Sequence, residues 1–302
     1  MNIEHRGNVL VTGGTGFIGY HLCRALIGAG FDVTAIVRHQ SDTAGLASLG
    51  LIDIIPWSGS VDELISYMHE RRPLVVYHLA SQFLAEHRLE DLDRIVDANI
   101  VFGLKLLEAM AAVGANALVN TGTSWQHYGQ TVDYRPANLY AASKQAFEDL
   151  IAYYADARGL RTITLKISDT YGPQDRRGKL ISQLLRLANE GGELAASPGE
   201  QEIDLLHVDD VVRGYLIAGK RCLDLVPGRT ETFALTGGAP ITLRQLADLI
   251  GTLSDTPLAI HWGGKPYRKR EVMRPWSGGT PLPDWEPRVS LRNGLSKLLS
   301  KT

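Results

Sequence analysis

A tyrosine and a lysine four residues apart are the pair in this sequence best suited to proton transfer. Of the eleven tyrosines, only Tyr140 is followed at this spacing by a lysine, Lys144. Residues i and i+4 share one face of a helix, so we expect the ammonium to lower the pKa of the phenol. A phenol tuned in this way can exchange a proton with a carbonyl or alcohol oxygen while a hydride moves. The alternative is that Tyr140 and Lys144 lie in the first turns of an ordinary amphipathic helix, with the lysine exposed to solvent.

Hydroxyl groups stand upstream of this pair, where the apolar run ALVNT (117–121) is followed by GTSWQHYG (122–129). A hydroxyl at the carboxyl end of a strand could bind the same substrate oxygen as Tyr140. We choose Ser124 first and Thr123 second for this role.

A glycine-rich loop, TGGTGFIG (12–19), joins the first apolar run to an amphipathic helical segment. Glycines let the backbone approach a pyrophosphate, and a helix N-terminus offers free N–H groups and a positive dipole end. The glycine spacing alone is weak evidence, and its position between a strand and a helix strengthens it. The loop residues predicted to contact a dinucleotide are Gly13, Thr15, Gly16, Phe17, Ile18 and Gly19.

The second apolar run ends in Arg38, where NAD-binding proteins usually carry an acidic residue for the ribose 2′-hydroxyl. A guanidinium suits the 2′-phosphate of NADP by charge and geometry. The sequence therefore favours NADP(H), with NAD(H) as the alternative. Arg38 could also be a solvated surface arginine with no role in cofactor binding.

Short Val/Ile/Leu runs alternate with helical segments through the first half of the chain, which predicts parallel strands buried on both faces. We predict an α/β fold, with a Rossmann doubly wound parallel sheet and a smaller C-terminal α/β substrate lobe. The Rossmann domain is placed at residues 1–170, with later segments at about 205–235 returning to it. The substrate lobe is placed mainly at 171–302. Long helices are predicted over about 91–113 and 137–158.

Charge and composition exclude several classes of function. The 31 Lys+Arg residues nearly balance the 33 Asp+Glu residues, which argues against a nucleic-acid-coating protein. No apolar run is long enough to cross a bilayer, and the N-terminus lacks the pattern of a signal peptide. Two cysteines are too few for a disulfide framework, so we expect a cytoplasmic protein with Cys23 as a buried thiol. We predict no metal site.

Taken together, these segments resemble the extended short-chain dehydrogenase/reductase (NAD-dependent epimerase/dehydratase) family. The matching motifs cover nearly the whole chain: TGGTGFIG (12–19), HLAS (78–81), DANIVFGLKLLEA (97–109), GTSWQHYG (122–129), YAASK (140–144), YGP (171–173), LLHVDDVV (205–212) and WEPRVSLRNGL (285–295).

The resemblance implies a catalytic triad of Ser124, Tyr140 and Lys144, with Lys144 also binding the nicotinamide ribose. It implies that Asn99 stabilises the site from a helix. It also implies that a segment after the fourth strand lines the cofactor, namely Leu79, Ala80 and Ser81.

Within this family, the sequence is most similar to nucleotide-sugar 4-ketoreductases. Thr123 is followed by Ser124 and Trp125 instead of the acidic pair that a 4,6-dehydratase needs for removal of water. The expected reaction is NADPH-dependent reduction of the C4 keto group of a nucleotide-diphosphate 4-keto-deoxysugar. The residues expected to bind the substrate are Ser124, Trp125, Asp169, Arg176, Arg177, Lys179 and Arg268.

Several alternatives stay open from the sequence. The basic cluster at 176–179 could equally be the solvated first turn of a helix. Ile203 stands where the family carries an arginine, and Pro56–Gly59 stand where it carries an acidic residue on the adenine side. Trp57 is a hypothetical stacking partner for adenine. Other candidate functions are an NAD-dependent nucleotide-sugar epimerase and a non-catalytic NAD(P)-sensing protein. The resemblance also implies a homodimer joined through the two long helices.

Overall fold

The computed structural model describes residues 6–50, 52–131 and 133–299. The strands are β1 Asn8–Thr12, β2 Asp32–Arg38, β3 Ile52–Trp57, β4 Val75–His78, β5 Ala117–Thr123, β6 Arg161–Ile167, β7 Asp169–Tyr171, β8 Leu194–Ala196, β9 Glu202–Ile203, β10 Leu205–His207, β11 Thr230–Leu235, β12 Ile241–Thr242 and β13 Ile260–Trp262. The helices are α1 Phe17–Gly28, α2 Ala44–Ala47, α3 Val61–Arg71, α4 Leu92–Val96, α5 Phe102–Val113, α6 Leu139–Arg158, α7 Leu180–Glu190, α8 Val208–Asp224, α9 Leu243–Leu253 and α10 Leu291–Leu299.

Seven strands form a parallel sheet in the order β11-β6-β5-β4-β1-β2-β3. Side chains alternate between its two faces, so that Val9 and Val11 of β1 pack in one core and Leu10 packs in the other. Helices α1 and α8 cover the first face, and α3, α5 and α6 cover the second. The predicted Rossmann doubly wound sheet is confirmed.

The predicted helix over about 91–113 is confirmed as a continuous helical stretch that contains a π-helical turn. A 3-10 turn at Leu89–Asp91 leads into α4, and the π-helical turn at Asp97–Val101 joins α4 to α5 with the backbone still right-handed helical. Buried Asn99 lies in this π turn and bonds to groups outside its own helix. Apolar periodicity cannot reveal such a widened turn, which often occurs at functional sites.

The second long helix, α6, starts two residues later than predicted. The side chain of Asn138 caps its N-terminus by accepting a hydrogen bond from the Ala141 N–H at 2.9 Å. Gly159 ends the helix in the left-handed conformation, with φ of 72°, which glycine adopts without strain. The cap places Tyr140 in the first turn, at the carboxyl edge of the sheet.

A third hydrophobic cluster lies in the C-terminal part of the chain and is formed by α7, α9, α10 and the strands near them. Three two-stranded sheets accompany it: β7 with β10, β8 with β13, and β9 with β12. By contrast, α8 and β11 pack on the central sheet, within the segment at about 205–235. The division into domains at residue 170 stays a prediction.

Both cysteines are buried free thiols, as predicted for Cys23. Burial raises the pKa of Cys23 to about 12 and that of Cys222 to about 11, so both stay protonated at neutral pH. No helix among the described residues combines the length and apolar character needed to cross a membrane.

Candidate active site

A cavity of about 410 Å³ opens where the carboxyl ends of the central strands meet the N-termini of α1 and α6. Ligands bind at this edge of open α/β sheets. The cavity brings together the glycine loop, the segment after β4, the end of β5 and Tyr140. The predicted residues that line it are Gly13, Gly16, Phe17, Ile18, Gly19, Leu79, Ser81, Thr123, Ser124, Trp125, Tyr140, Asp169, Arg177 and Lys179.

The glycine loop has the geometry that a dinucleotide pyrophosphate requires. Gly13 has φ of 74°, and a Cβ there would lie 2.6 Å from the Ala80 nitrogen. A Cβ on Gly19 would lie 2.1 Å from the Gly13 oxygen, so these positions exclude any side chain. The loop residues therefore fit a dinucleotide, whose phosphates the N–H groups in the first turn of α1 would bind. Thr15 is exposed at the same loop.

The phenol of Tyr140 is buried, and its pKa is shifted in the direction opposite to our expectation. Burial raises the pKa of Tyr140 to about 12, and a hydrogen bond with the Ser81 side chain lowers it only in part. Among charged groups, Asp169 raises this pKa and Arg177 lowers it. The expectation that Lys144 makes the phenol acidic is therefore corrected: without a bound dinucleotide, desolvation dominates and Tyr140 stays protonated.

Lys144 lies one helical turn after Tyr140, and its side chain is almost fully buried. Burial lowers the pKa of Lys144 to about 8, and the carboxylate of Glu148 acts in the opposite direction. His78 of β4 also lies close to Lys144, and burial lowers its pKa to about 3. The imidazole is therefore neutral, and the ammonium is the positive charge in this part of the site.

The two candidate hydroxyls after β5 have different surroundings. Thr123 caps a 3-10 turn at Ser124–Gln126, since its Oγ1 accepts a hydrogen bond from the Trp125 N–H at 3.3 Å. Ser124 begins that turn and lines the cavity. The geometry favours Ser124 as the hydroxyl for a substrate oxygen, because Ser124 lines both this cavity and the neighbouring one, whereas Thr123 lines only this one.

Asn99 connects the segment after β4 to helix α6. Its Oδ1 accepts from the Gln82 N–H at 2.6 Å, and its Nδ2 donates to the Gln82 oxygen and to Ser143 Oγ. Ser143 lies between Tyr140 and Lys144 on α6. The amide therefore joins Gln82, the residue after Ser81, to the helix that carries the Tyr/Lys pair.

A second cavity of about 490 Å³ continues from the first toward the C-terminal cluster. Phe83, Ser124, Trp125, Asp169 and Lys179 line both cavities. The ring of Phe83 lies 5.0 Å from the Tyr140 ring and 5.6 Å from the Trp125 ring, edge to face in both cases. An apolar aromatic corner therefore flanks Tyr140 at the junction of the two cavities.

Cationic side chains surround this junction, each next to a carboxylate or an aromatic ring. Lys179 Nζ lies 2.9 Å from Asp169 Oδ1. The Arg177 guanidinium lies over the Phe17 ring at 4.2 Å and pairs with Asp175.

Arg268 pairs with Glu271 and lies over the Trp125 ring. Arg176 is exposed, and among the described residues it lines neither cavity, so the structure does not bring it into the site.

The adenosine end of the predicted dinucleotide site lies at the end of β2. Arg38 is exposed there, next to Trp57 of β3 in the sheet register. The Trp57 ring packs at 4.6 Å against Phe102, and its indole N–H donates to the Ser60 oxygen. Its hypothetical stacking on adenine stays a hypothesis.

A family model described as the NAD dependent epimerase/dehydratase family matches residues 9–230. The chain belongs to this family. A similar protein is the CDP-abequose synthase of Salmonella typhimurium, 28% identical over 97% of each chain. Another is the GDP-6-deoxy-D-mannose reductase of Pseudomonas aeruginosa, 26% identical over 97% of this chain and 96% of that protein.

Among solved structures, the UDP-glucose 4-epimerase of Thermotoga maritima with UDP-glucose superposes with a TM-score of 0.84. It is 27% identical, and the match covers 97% of each chain. These matches establish an epimerase/dehydratase family fold with relatives that act on nucleotide sugars.

Some residues of this family member's site were not anticipated from its sequence. Phe83 lies two residues after the predicted cofactor segment, so its position was a usable signal. Lys166 is a charged residue inside the apolar strand β6, which was another signal. Trp276 lines the second cavity from more than a hundred residues away, and nothing in its local sequence pointed to the site.

Proposed function

We propose that this family member uses NADPH to reduce the C4 keto group of a nucleotide-diphosphate 4-keto-deoxysugar. The observation that carries the proposal is the position of the buried Tyr140 phenol, which lines the first cavity beside Phe83, a ring that lines both cavities. Reduction of a ketone consumes a proton at oxygen, and a protonated phenol supplies it. A nicotinamide bound in the first cavity would supply the hydride.

The proposal assigns a role to each of three protein groups. Ser124 donates a hydrogen bond to the C4 oxygen and orients the carbonyl toward Tyr140. Tyr140 then gives its proton to that oxygen as negative charge develops on it. The Lys144 ammonium, one helical turn away, stabilises the phenolate that remains and binds the cofactor ribose.

The choice of NADPH rests on the residues at the end of β2. Arg38 is exposed there, in the place where NAD-binding proteins usually carry the carboxylate that accepts the ribose 2′-hydroxyl. A guanidinium forms charge-assisted hydrogen bonds with a 2′-phosphate. A reductase must also take up fresh reduced cofactor in each turnover. The exposed position of Arg38, at the adenosine end of the predicted dinucleotide site, agrees with such exchange.

The substrate class is supported by the chemistry of the second cavity. Lys179 and Arg268 line it and can bind a diphosphate, while Phe83 and Trp125 present apolar edges beside Tyr140. An apolar corner suits a sugar edge that has lost hydroxyl groups, because a buried hydroxyl without a partner is unfavourable. CDP-abequose synthase and GDP-6-deoxy-D-mannose reductase are relatives whose names indicate this class of sugar.

The second candidate is an NAD-dependent nucleotide-sugar epimerase, because the Thermotoga maritima epimerase shares the fold over nearly the whole chain. An epimerase regenerates its cofactor within one turnover and shows no net NADPH oxidation. We also propose a homodimer, since the π turn, α5 and α6 expose the apolar side chains of Val101, Leu104 and Tyr153.

A substrate panel tests the proposed reaction. The purified enzyme is mixed with NADPH, or with NADH for comparison, and with CDP-, dTDP-, GDP- and UDP-linked 4-keto-6-deoxy sugars. Loss of NADPH absorbance with at least one sugar, and slower loss with NADH, is the expected result. No oxidation with any of these sugars, together with C4 epimerisation of a nucleotide sugar, would favour the epimerase.

A further inference from the structure

Glu148 is a buried carboxylate in the site to which the proposed reaction assigns no role. It lies on α6 one turn after Lys144, so the two side chains share a face of the helix. Its side chain is only 13% exposed. Buried carboxylates are rare without partners, and Glu148 has them on two other elements.

The first partner is Gln126, in the turn that carries Ser124. Gln126 Nε2 donates to Glu148 Oε1 at 2.9 Å, and its Oε1 accepts from the Thr123 N–H at 3.0 Å. The amide thus joins the end of β5 to α6. This connection fixes the position of the Ser124 turn relative to the helix that carries Tyr140.

The second partner is Lys166 of β6, whose Nζ lies 3.8 Å from Glu148 Oε2. The same ammonium lies 2.9 Å from His127 Nε2, while His127 Nδ1 lies 3.1 Å from the Asp133 oxygen. These contacts fit a neutral imidazole that donates through Nδ1 and accepts at Nε2. The His127 ring stacks on Trp276 at 4.2 Å, so the network reaches the wall of the second cavity.

We propose that Glu148 is a positioning residue that keeps Lys144 in its charged form and holds the Ser124 turn against α6. The inference rests on the proposed function for the roles of Lys144 and Ser124. It extends that function because it makes the charge of Lys144 depend on Glu148, a carboxylate outside the proposed triad.

The charged groups around this pair give the expected direction of the effect. Lys144 faces Tyr140 and Glu148 on its own helix and neutral His78 on β4. Glu148 faces Lys166 on β6 and Asp149 beside it.

Burial lowers the pKa of Lys144 to about 8, and Glu148 opposes this shift. The ammonium exists below that pKa, so removing the negative charge should cause its loss at a lower pH.

The experiment compares Glu148→Gln with Glu148→Asp and with Asp149→Asn, a control at an exposed carboxylate on the same helix. The glutamine keeps an oxygen for Gln126 but removes the charge. For each protein, kcat/KM and the Kd for NADPH are measured between about pH 6 and pH 10, with the Tm as a check on folding. The Kd measurement needs no sugar, so it remains informative if the proposed reaction is wrong.

For Glu148→Gln, we expect the alkaline loss of activity and of NADPH affinity to move down by about one pH unit. The profiles of Glu148→Asp and Asp149→Asn should stay close to that of the unchanged protein. A lower Tm with an unmoved pH profile would overturn the proposal, because it would leave Glu148 a purely structural role. Failure of Glu148→Gln to fold would count against it for the same reason.

Discussion

The proposed chemistry requires that the phenol of Tyr140 stays protonated until it transfers its proton to the C4 oxygen of the substrate. Burial raises the pKa of Tyr140 to about 12, and the Ser81 side chain offsets only part of that rise. The nearby Lys144 ammonium can stabilise the phenolate once the proton has left. A phenol that is protonated at neutral pH can act as a general acid, which is the role that the proposed reduction requires.

Replacement of Tyr140 by phenylalanine removes the proton donor and leaves the aromatic corner in place. We expect kcat for the keto sugar to fall by about 10²- to 10⁴-fold, while the Kd for NADPH changes little. The assay is NADPH absorbance at saturating sugar, with Tyr153→Phe as the control because that ring is 59% exposed. A variant that retains most of its turnover would exclude Tyr140 as the acid.

Spacing was enough to select Tyr140, Lys144 and the loop glycines, because i,i+4 geometry and loop sterics are local properties. Spacing could not give the direction of the Tyr140 pKa shift, since desolvation depends on residues distant in the sequence. The position of Trp276 in the wall of the second cavity was unpredictable, because Trp276 is also distant in the sequence from the other site residues. Lys166 could have been found, because a charge inside an apolar strand needs a buried partner.

At the level of secondary structure, hydrogen bonds from the π turn connect the segment after β4 to α6 and so fix the relative positions of the two sides of the site. Asn99 makes this connection from a fully buried position with three hydrogen bonds. The strands were predictable from apolar runs, and the ends of α5 and α6 from Gly114 and Gly159, which cap them in the left-handed conformation. The π turn was not, because the bonds of its Asn99 go to Gln82 and Ser143, which no local pattern connects to it.

Replacement of Asn99 by alanine tests the importance of this connection. It leaves the Gln82 N–H and carbonyl without their partner, so we expect the free energy of unfolding to fall by about 2 kcal/mol. Urea denaturation measures the change, and Asn116→Ala at an exposed position is the control, with a change within about 0.5 kcal/mol. Equal stability of the two variants would show that the amide bonds contribute little.

For the whole molecule, the parallel sheet places a dinucleotide cavity beside a second cavity lined by the C-terminal cluster. The order of βαβ segments predicted this architecture, because parallel strands direct their carboxyl ends to one edge. The base and the sugar hydroxyls of the proposed substrate were not predictable, since the second cavity is lined by segments that lie far apart in the sequence. The homodimer and the cytoplasmic location stay predictions.

The transfer of deuterium from labelled cofactor tests the central claim most directly. The enzyme is incubated with NADPH carrying deuterium at the transferred position of C4 and with the best 4-keto-deoxysugar of the panel, and the product is analysed by NMR and mass spectrometry. The account predicts one deuterium at C4 of the sugar for each NADPH oxidised. Unlabelled sugar of inverted configuration, formed without consumption of NADPH, would contradict it.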